Sequence, residues 1–378
     1  MSTALKTDDI LKRAAAIGSY YGFASLSSLA AAKKASSKSP YPESIQLEGL
    51  DPAAREVVGF LKHIRDAGLT PSTAQPLFVW HSNAAPGRTS PKQIIIQFHA
   101  LGIERSIADA VLMRAVRAFM QDLTKDELTL RINSMGDKET RGRFSRELGT
   151  FFRKHGAVLP EPCVTCAKRD VFEAAELLAA TDAGSLPAPT DHLSEQSRKH
   201  FESVIEYLEA SDTAYELAPE LLSRGLSWTE TCFEIRDGER VQAWGSRYNE
   251  LARPFFKAAV PGVGAVIRIN TESRETIAPM KNSSAPRFVF VHIGDEAKRE
   301  SMKMADTLRK ARIPLTQSIG IESLTQQMHV AEAINPPYLL IMGRKEALER
   351  SVILRDRASF TETFIPLDSL VDHLKTVS

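Results

Sequence analysis

Two cysteines three apart, Cys163 and Cys166 in the stretch EPCVTCAKRD, are the first residues whose types and spacing could do chemistry. Thiolates at that spacing hold zinc or cycle as a dithiol. A zinc centre needs a second ligand pair, and the nine histidines are scattered, without an HExxH. A redox pair belongs at the start of a helix that follows a strand, whereas helical segments surround this one. Both cysteines therefore read as packing residues with a weak claim on metal, and Cys232, in the apolar TCFEI, as a core residue. Glycines offer GVGAVIR at 262–268, but not the GxGxxG or GxxxxGK[ST] spacing that cradles phosphate. No GxSxG presents a nucleophilic serine. The basic residues Arg198, Lys199 and His200, and the Lys33-Lys34 pair, read as solvated faces with a secondary claim on phosphate.

What could position such residues is bounded by composition. The chain has 378 residues, 48 Lys and Arg against 47 Asp and Glu, and 43% hydrophobic residues, which suits two or three globular domains. A net charge of +1 excludes a uniformly basic nucleic-acid coat, so any RNA contact must be local. Three cysteines cannot build a disulfide framework. No apolar run is long enough to cross a bilayer and the amino terminus carries acidic residues, so the expectation is a cytoplasmic chain.

Periodicity supplies the elements. Ile10, Ala14, Ile17 and Tyr21 predict a helix over 8–23, and Asp51-Pro52 opens another over 51–67. Residues 33–46 read as an exposed loop. PLFVW and QIIIQFHALGIE predict two antiparallel strands joined by a long loop, followed by a helix over 106–121 with Ser106 and Asp109 at its cap and a strand LTLRINSMGD. Helical spacing dominates 138–215, and strand patterns return over 216–270. Beyond a linker at 276–286, strands alternate with helices, which predicts a compact α/β domain with a mostly parallel sheet.

The block around 97–141, QFHALGIE to RINSMGDKETRGRF, resembles the stretch after the second class II motif of histidyl-tRNA synthetases. LLSRGLSWTETCFEI is similar to that family's RGLDYY…TVFE, WGSRYNELA to its GGRYDGLV, and SYYGF to the helix end before its first motif. SLTQQMHVAEAINPPYLLIMGRKE resembles its anticodon-binding domain. The resemblance implies an α/β (α+β) fold: a class II synthetase-like antiparallel sheet domain over 1–275 with a helical insertion at about 138–215, then an anticodon-binding-type domain over 287–378.

Departures from the family's pattern fall on its chemistry. Where the second motif carries an FRxE arginine for the ATP α-phosphate, this chain has WHSNAAPG, and RYRQFHQ has become IIIQFHA, with Ile94 and Ile96 for two arginines. The third motif's GxGxER falls on GVGAVIRINTE, with Thr271 in the arginine's place and Arg268 three residues off register. LRPEGT becomes LDPAAR, so Ala53 stands where a carboxylate would meet the substrate. RGLDYY becomes RGLSWT, which keeps Arg224 and puts Ser227, Trp228 and Thr229 around the amino-acid pocket. Gln97, Arg224 and Arg247 remain as catalytic remnants, and Gln326, Gln327, Arg344 and Lys345 lie in family positions suited to unpaired anticodon bases.

The resemblance thus implies a catalytically degenerate paralogue that binds tRNA, another structured RNA or a protein partner, as a homodimer or with an active synthetase, and needs no cofactor. Two alternatives carry other expectations. An active histidine–tRNA ligase would use ATP and Mg²⁺ to form an aminoacyl-adenylate, and a histidine-sensing subunit like that of ATP phosphoribosyltransferase would keep the histidine pocket.

Overall fold

The computed structural model describes residues 6–32, 50–84, 92–181, 186–222, 228–238, 240–256, 259–271 and 286–377. The loop expected over 33–46 and the linker up to 285 lie outside them.

An eight-stranded sheet forms from β1 (Ala24–Ser25), β2 (Leu77–Ser82), β3 (Gln93–Leu101), β4 (Leu128–Ser134), β5 (Glu216–Leu217), β6 (Thr229–Asp237), β7 (Arg240–Arg247) and β8 (Gly262–Asn270). Its order is β1-β2-β3-β8-β7-β6-β4-β5, antiparallel except for the short outer strands β1 and β5. β3 and β2 pair antiparallel as expected, with Gln97 opposite His81 and, on the other side, Val266. Strand alternation divides β3 between two cores. Ile94, Ile96, Phe98 and Ala100 enter one, and Ile95 and Leu101 the other.

Helices cover both faces. α1 (Thr7–Tyr21), α4 (Ile107–Gln121) and α8 (Glu195–Ala210) pack on the face of Ile94 and Ile96, while α2 (Leu26–Ala32), α3 (Pro52–Asp66) and α9 (Asn249–Ala252) pack on the other. α1 stops at Tyr21 because Gly22 takes a left-handed φ of 81° that returns the chain to Phe23. α3 begins as its residues predict: Asp51 accepts from the Ala53 and Ala54 N–H groups at 2.8 and 2.9 Å. α4 corrects its expected cap. Ser106 makes no side-chain cap, and Asp109 is fully buried against Arg247, because a helix enclosed on nearly all sides spends its anion on a buried cation. α5 (Lys138–His155), α6 (Glu161–Ala167) and α7 (Val171–Ala179) form a separate core around Phe144, Leu148 and Cys163, which Cys232 joins from β6.

The last ninety residues form β9 (Phe288–His292), α10 (Asp295–Lys310), β10 (Leu315–Gln317), α11 (Leu324–Ile334), β11 (Tyr338–Met342), α12 (Arg344–Leu348), β12 (Ser351–Asp356), β13 (Glu362–Pro366) and α13 (Leu370–Thr376). The sheet order is β10-β9-β11-β12-β13. The expected mostly parallel sheet is in fact mixed: β10, β9 and β11 are parallel, whereas β12 and β13 add antiparallel. β13 is missed by periodicity because four of its five residues are exposed, and its Ile365-Pro366 end reads as the start of the final helix.

Candidate functional site

The centre of the large sheet brings together three of the stretches that carry the family resemblance. On the α3 face of β3, His99 stacks on Phe60 of α3, with ring centroids 3.6 Å apart. Its Nε2–H donates to Gln97 Oε1 at 3.0 Å and its Nδ1 accepts from the Tyr248 hydroxyl at 2.8 Å. Gln97 in turn donates to Glu56 at 3.3 Å. Burial, helped by nearby His81, holds His99 well below the ordinary imidazole range, so it is neutral. Burial also pushes the Tyr248 phenol well above its usual value.

The glycines of GVGAVIR explain themselves here. A Cβ on Gly264 would meet His99 Nδ1 at 2.1 Å, and one on Gly262 would meet Tyr248 Cε2 at 2.6 Å. β8 is smooth at these points so that two rings of this chain can lie on it. Arg268 pairs in register with Ile95, and Thr271 donates its hydroxyl to the Lys92 carbonyl at 3.2 Å.

Arg247 belongs to the interior. Its guanidinium donates to Asp109 at 3.1, 3.1 and 2.5 Å and to the Ile103 and Arg105 carbonyls at 2.9 and 3.0 Å. His200 Nε2 lies 3.4 Å from the same carboxylate. Burial pushes Asp109 up, but Arg247 and His200 together hold it below the ordinary carboxylate range. With its donors so committed, Arg247 is placed to hold β7 to α4.

Of the residues expected around an amino-acid pocket, Ala53 and Trp228 meet through Asp51. The carboxylate that caps α3 also accepts the Trp228 indole N–H at 2.7 Å, and Trp228 packs edge-on against Trp244 with centroids 4.6 Å apart. Trp228 is buried, whereas Thr229 begins β6 with its hydroxyl enclosed and without a hydrogen-bond partner. Arg224 and Ser227 lie outside the described residues.

The four RNA candidates separate. Gln327 is buried; it accepts from the His292 N–H at 3.0 Å and donates to the His292 and Ile321 carbonyls at 2.8 and 2.9 Å, so it ties α11 to β9. Gln326 is exposed and reaches the Ala74 carbonyl at 3.3 Å. Arg344 and Lys345 are exposed at the start of α12, near Glu296 and Glu349. Cys163 is buried and Cys166 half-buried on α6, both as free thiols. Among the described residues no three His, Cys, Asp or Glu side chains are grouped to hold a metal. Sequence reading missed the His99–Phe60–Tyr248 stack, whose signal was the two-residue spacing of Gly262 and Gly264; the Asp109–Arg247 pair had none.

A largely antiparallel sheet with helices on both faces, followed by a small α/β unit, defines the class as class II aminoacyl-tRNA synthetase-like. Residues 277–376 match the family model "Anticodon binding domain". A histidine–tRNA ligase of Pelotomaculum thermopropionicum is 30% identical over 298 residues, covering 74% of this chain and 69% of that protein. One from Caldanaerobacter subterraneus subsp. tengcongensis is 27% identical over 351 residues, covering 88% and 81%. Apo histidyl-tRNA synthetase of S. aureus superposes over 97% of this chain and 94% of its own, with 20% identity and a TM-score of 0.48. The chain belongs to the histidyl-tRNA synthetase family of class II enzymes.

Proposed function

We propose that this chain is a catalytically degenerate member of that family, binding tRNA or another structured RNA, or a protein partner, without aminoacylation. The observation that carries the reading is the burial of β3 at the positions aligned with family arginines; on the α3 face the polar residues Arg131, Arg236 and Arg268 stay half-buried. Ile94 and Ile96, aligned with two family arginines, are wholly enclosed beneath α1 and α4, with Ile267 of β8 in the same core. The opposite face holds His99 and Tyr248 beneath α3. A triphosphate needs fixed cations where its charge develops; Ile94, Ile96 and Thr271 supply none, and Arg247 is committed to Asp109.

In this reading residues 1–275 are the synthetase-like core with its insertion at 138–215, 276–286 are the linker, and 287–378 carry RNA recognition in a homodimer or beside an active synthetase. The exposed Arg344 and Lys345 are the recognition residues it favours. Histidine-dependent ATP–pyrophosphate exchange tests the proposal, run beside an active histidyl-tRNA synthetase. Absence of exchange in a folded sample, together with retained tRNA binding, is the expected result. Clear exchange would overturn it in favour of an active ligase, which the names of the related proteins favour. Histidine binding without exchange would point to a histidine-sensing subunit.

A further inference from the structure

The small α/β unit is joined to the large sheet unit by a buried seam along α10. Met302, Ala305 and Ile319 belong to the same hydrophobic core as α1 and α4. At its centre, Arg114 of α4 donates to the Met302 carbonyl at 2.8 Å and to the Asp306 carboxylate. The Tyr21 hydroxyl donates to the other Asp306 oxygen, and Arg309 lies 3.8 Å from it. Around the rim, Arg309 reaches Asp122 at 3.2 Å, and Arg105 reaches Asp295 and Glu322 at 2.6 and 2.5 Å.

These ion pairs differ in kind. The side chain of Arg105 is 42% exposed and those of its partners more so, and such pairs contribute little. The Arg114 side chain is 2% exposed and Asp306 29%. Nε and Nη1 of Arg114 are already enclosed without a hydrogen-bond partner, so its charge depends on that one carboxylate. The closed seam also occupies an edge strand: Ser19 Oγ donates to the Leu315 carbonyl at 3.0 Å, and the Gln317 amide donates to the Tyr20 carbonyl at 2.7 Å. Backbone approaches so closely here that a Cβ on Gly22 would sit 2.5 Å from the Gln317 carbonyl oxygen.

We infer that α10 is a clasp that closes the carboxy-terminal unit onto the amino-terminal one, with the Asp306 carboxylate as its pivot. Loss of that charge opens the seam and frees the β10 edge while the strands on either side keep their pairing. The two partners of the pivot are unequal. Asp306→Asn keeps the shape but strands a buried cation, whereas Arg114→Met removes the cation and leaves a carboxylate that reaches solvent and Arg309.

Hydrogen–deuterium exchange of the full-length chain tests the clasp. In Asp306→Asn, amides of α1, α4 and β10 should lose protection by on the order of a hundredfold, while β3 and β11 hold theirs. Arg114→Met should lose less than about tenfold, and the double variant should return the seam to the Arg114→Met level. Unchanged protection in Asp306→Asn, equal damage from Arg114→Met, or failure of the double variant to recover would each overturn the proposal. If Asp306→Asn unfolds outright, recovery in the double variant still decides.

Discussion

Asp109 and Arg247 form a fully buried ion pair that joins α4 to β7, with three donor–acceptor distances of 2.5 to 3.1 Å. Removing one partner strands the other, so Arg247→Met should cost about 3–5 kcal/mol in urea unfolding followed by tryptophan fluorescence. The pair also sets a sign with pH. The Asp109 carboxyl is held below its ordinary value near 3.8, so its contribution is complete above that value and is lost as acid protonates the folded form. Arg247→Met should remove that part of the acid dependence.

The ring-filled floor of the sheet predicts a contrast between two glycines. Gly264→Ala drives a Cβ into His99 and Tyr248 and should cost about 3 kcal/mol or prevent soluble expression. Gly142→Ala, in α5 with nothing within 4 Å of the new methyl, should stabilise by roughly 0.5–1 kcal/mol. Thermal unfolding of the two variants side by side gives the answer; equal effects would contradict the packed floor.

His292 is enclosed at the end of β9, and burial with nearby Lys298 lowers it to about 4 from 6.5. The unfolded chain therefore binds a proton that the folded one refuses between those values. Its contribution is complete above pH 6.5 and should fall with acidification by about 1.4 kcal/mol per pH unit across the window. His292→Gln should flatten the stability profile of the chain between pH 6.5 and 4 by that slope, read from urea midpoints.

Asp51 serves α3 and Trp228 at once. Asp51→Ala should therefore cost about 2–4 kcal/mol, a helix cap plus an orphaned buried indole N–H. Near-ultraviolet circular dichroism should change with it, because the Trp228–Trp244 packing loses its tether. A loss below about 1 kcal/mol would show that the indole has found water.

For the proposed RNA role, Arg344→Ala with Lys345→Ala should weaken tRNA binding and lower the salt slope by about one to two units. Gln327→Ala should instead lower stability, since its amide is bound inside the fold. Filter binding over a salt series separates the two. An unchanged slope in the double variant would take recognition away from α12.

How far the sequence reaches is clearest at three places. Asp51-Pro52 announced the start of α3, because capping depends on the residue at the end and its nearest neighbours in the chain. The strand pair 77–82 and 93–101 was legible from its short apolar runs, and the family from the ordered likeness of residues 97–141 and beyond. β13 was not, because an exposed edge strand pairs without an apolar alternation.

Gln97, Arg247 and Gln327 show the other limit. Their places in the family resemblance suggested contact with a ligand, yet each finds its partners inside the chain: Glu56 and His99, Asp109, and the His292 backbone. Sequence by itself determined most of the longer elements and the family, since these follow from local spacing and motif likeness. Only the tertiary structure decided that His99 and Tyr248 fill the sheet beneath α3 and where each of these polar side chains is satisfied. Those outcomes depend on groups as far apart as Asp109 and Arg247, which no local pattern brings together.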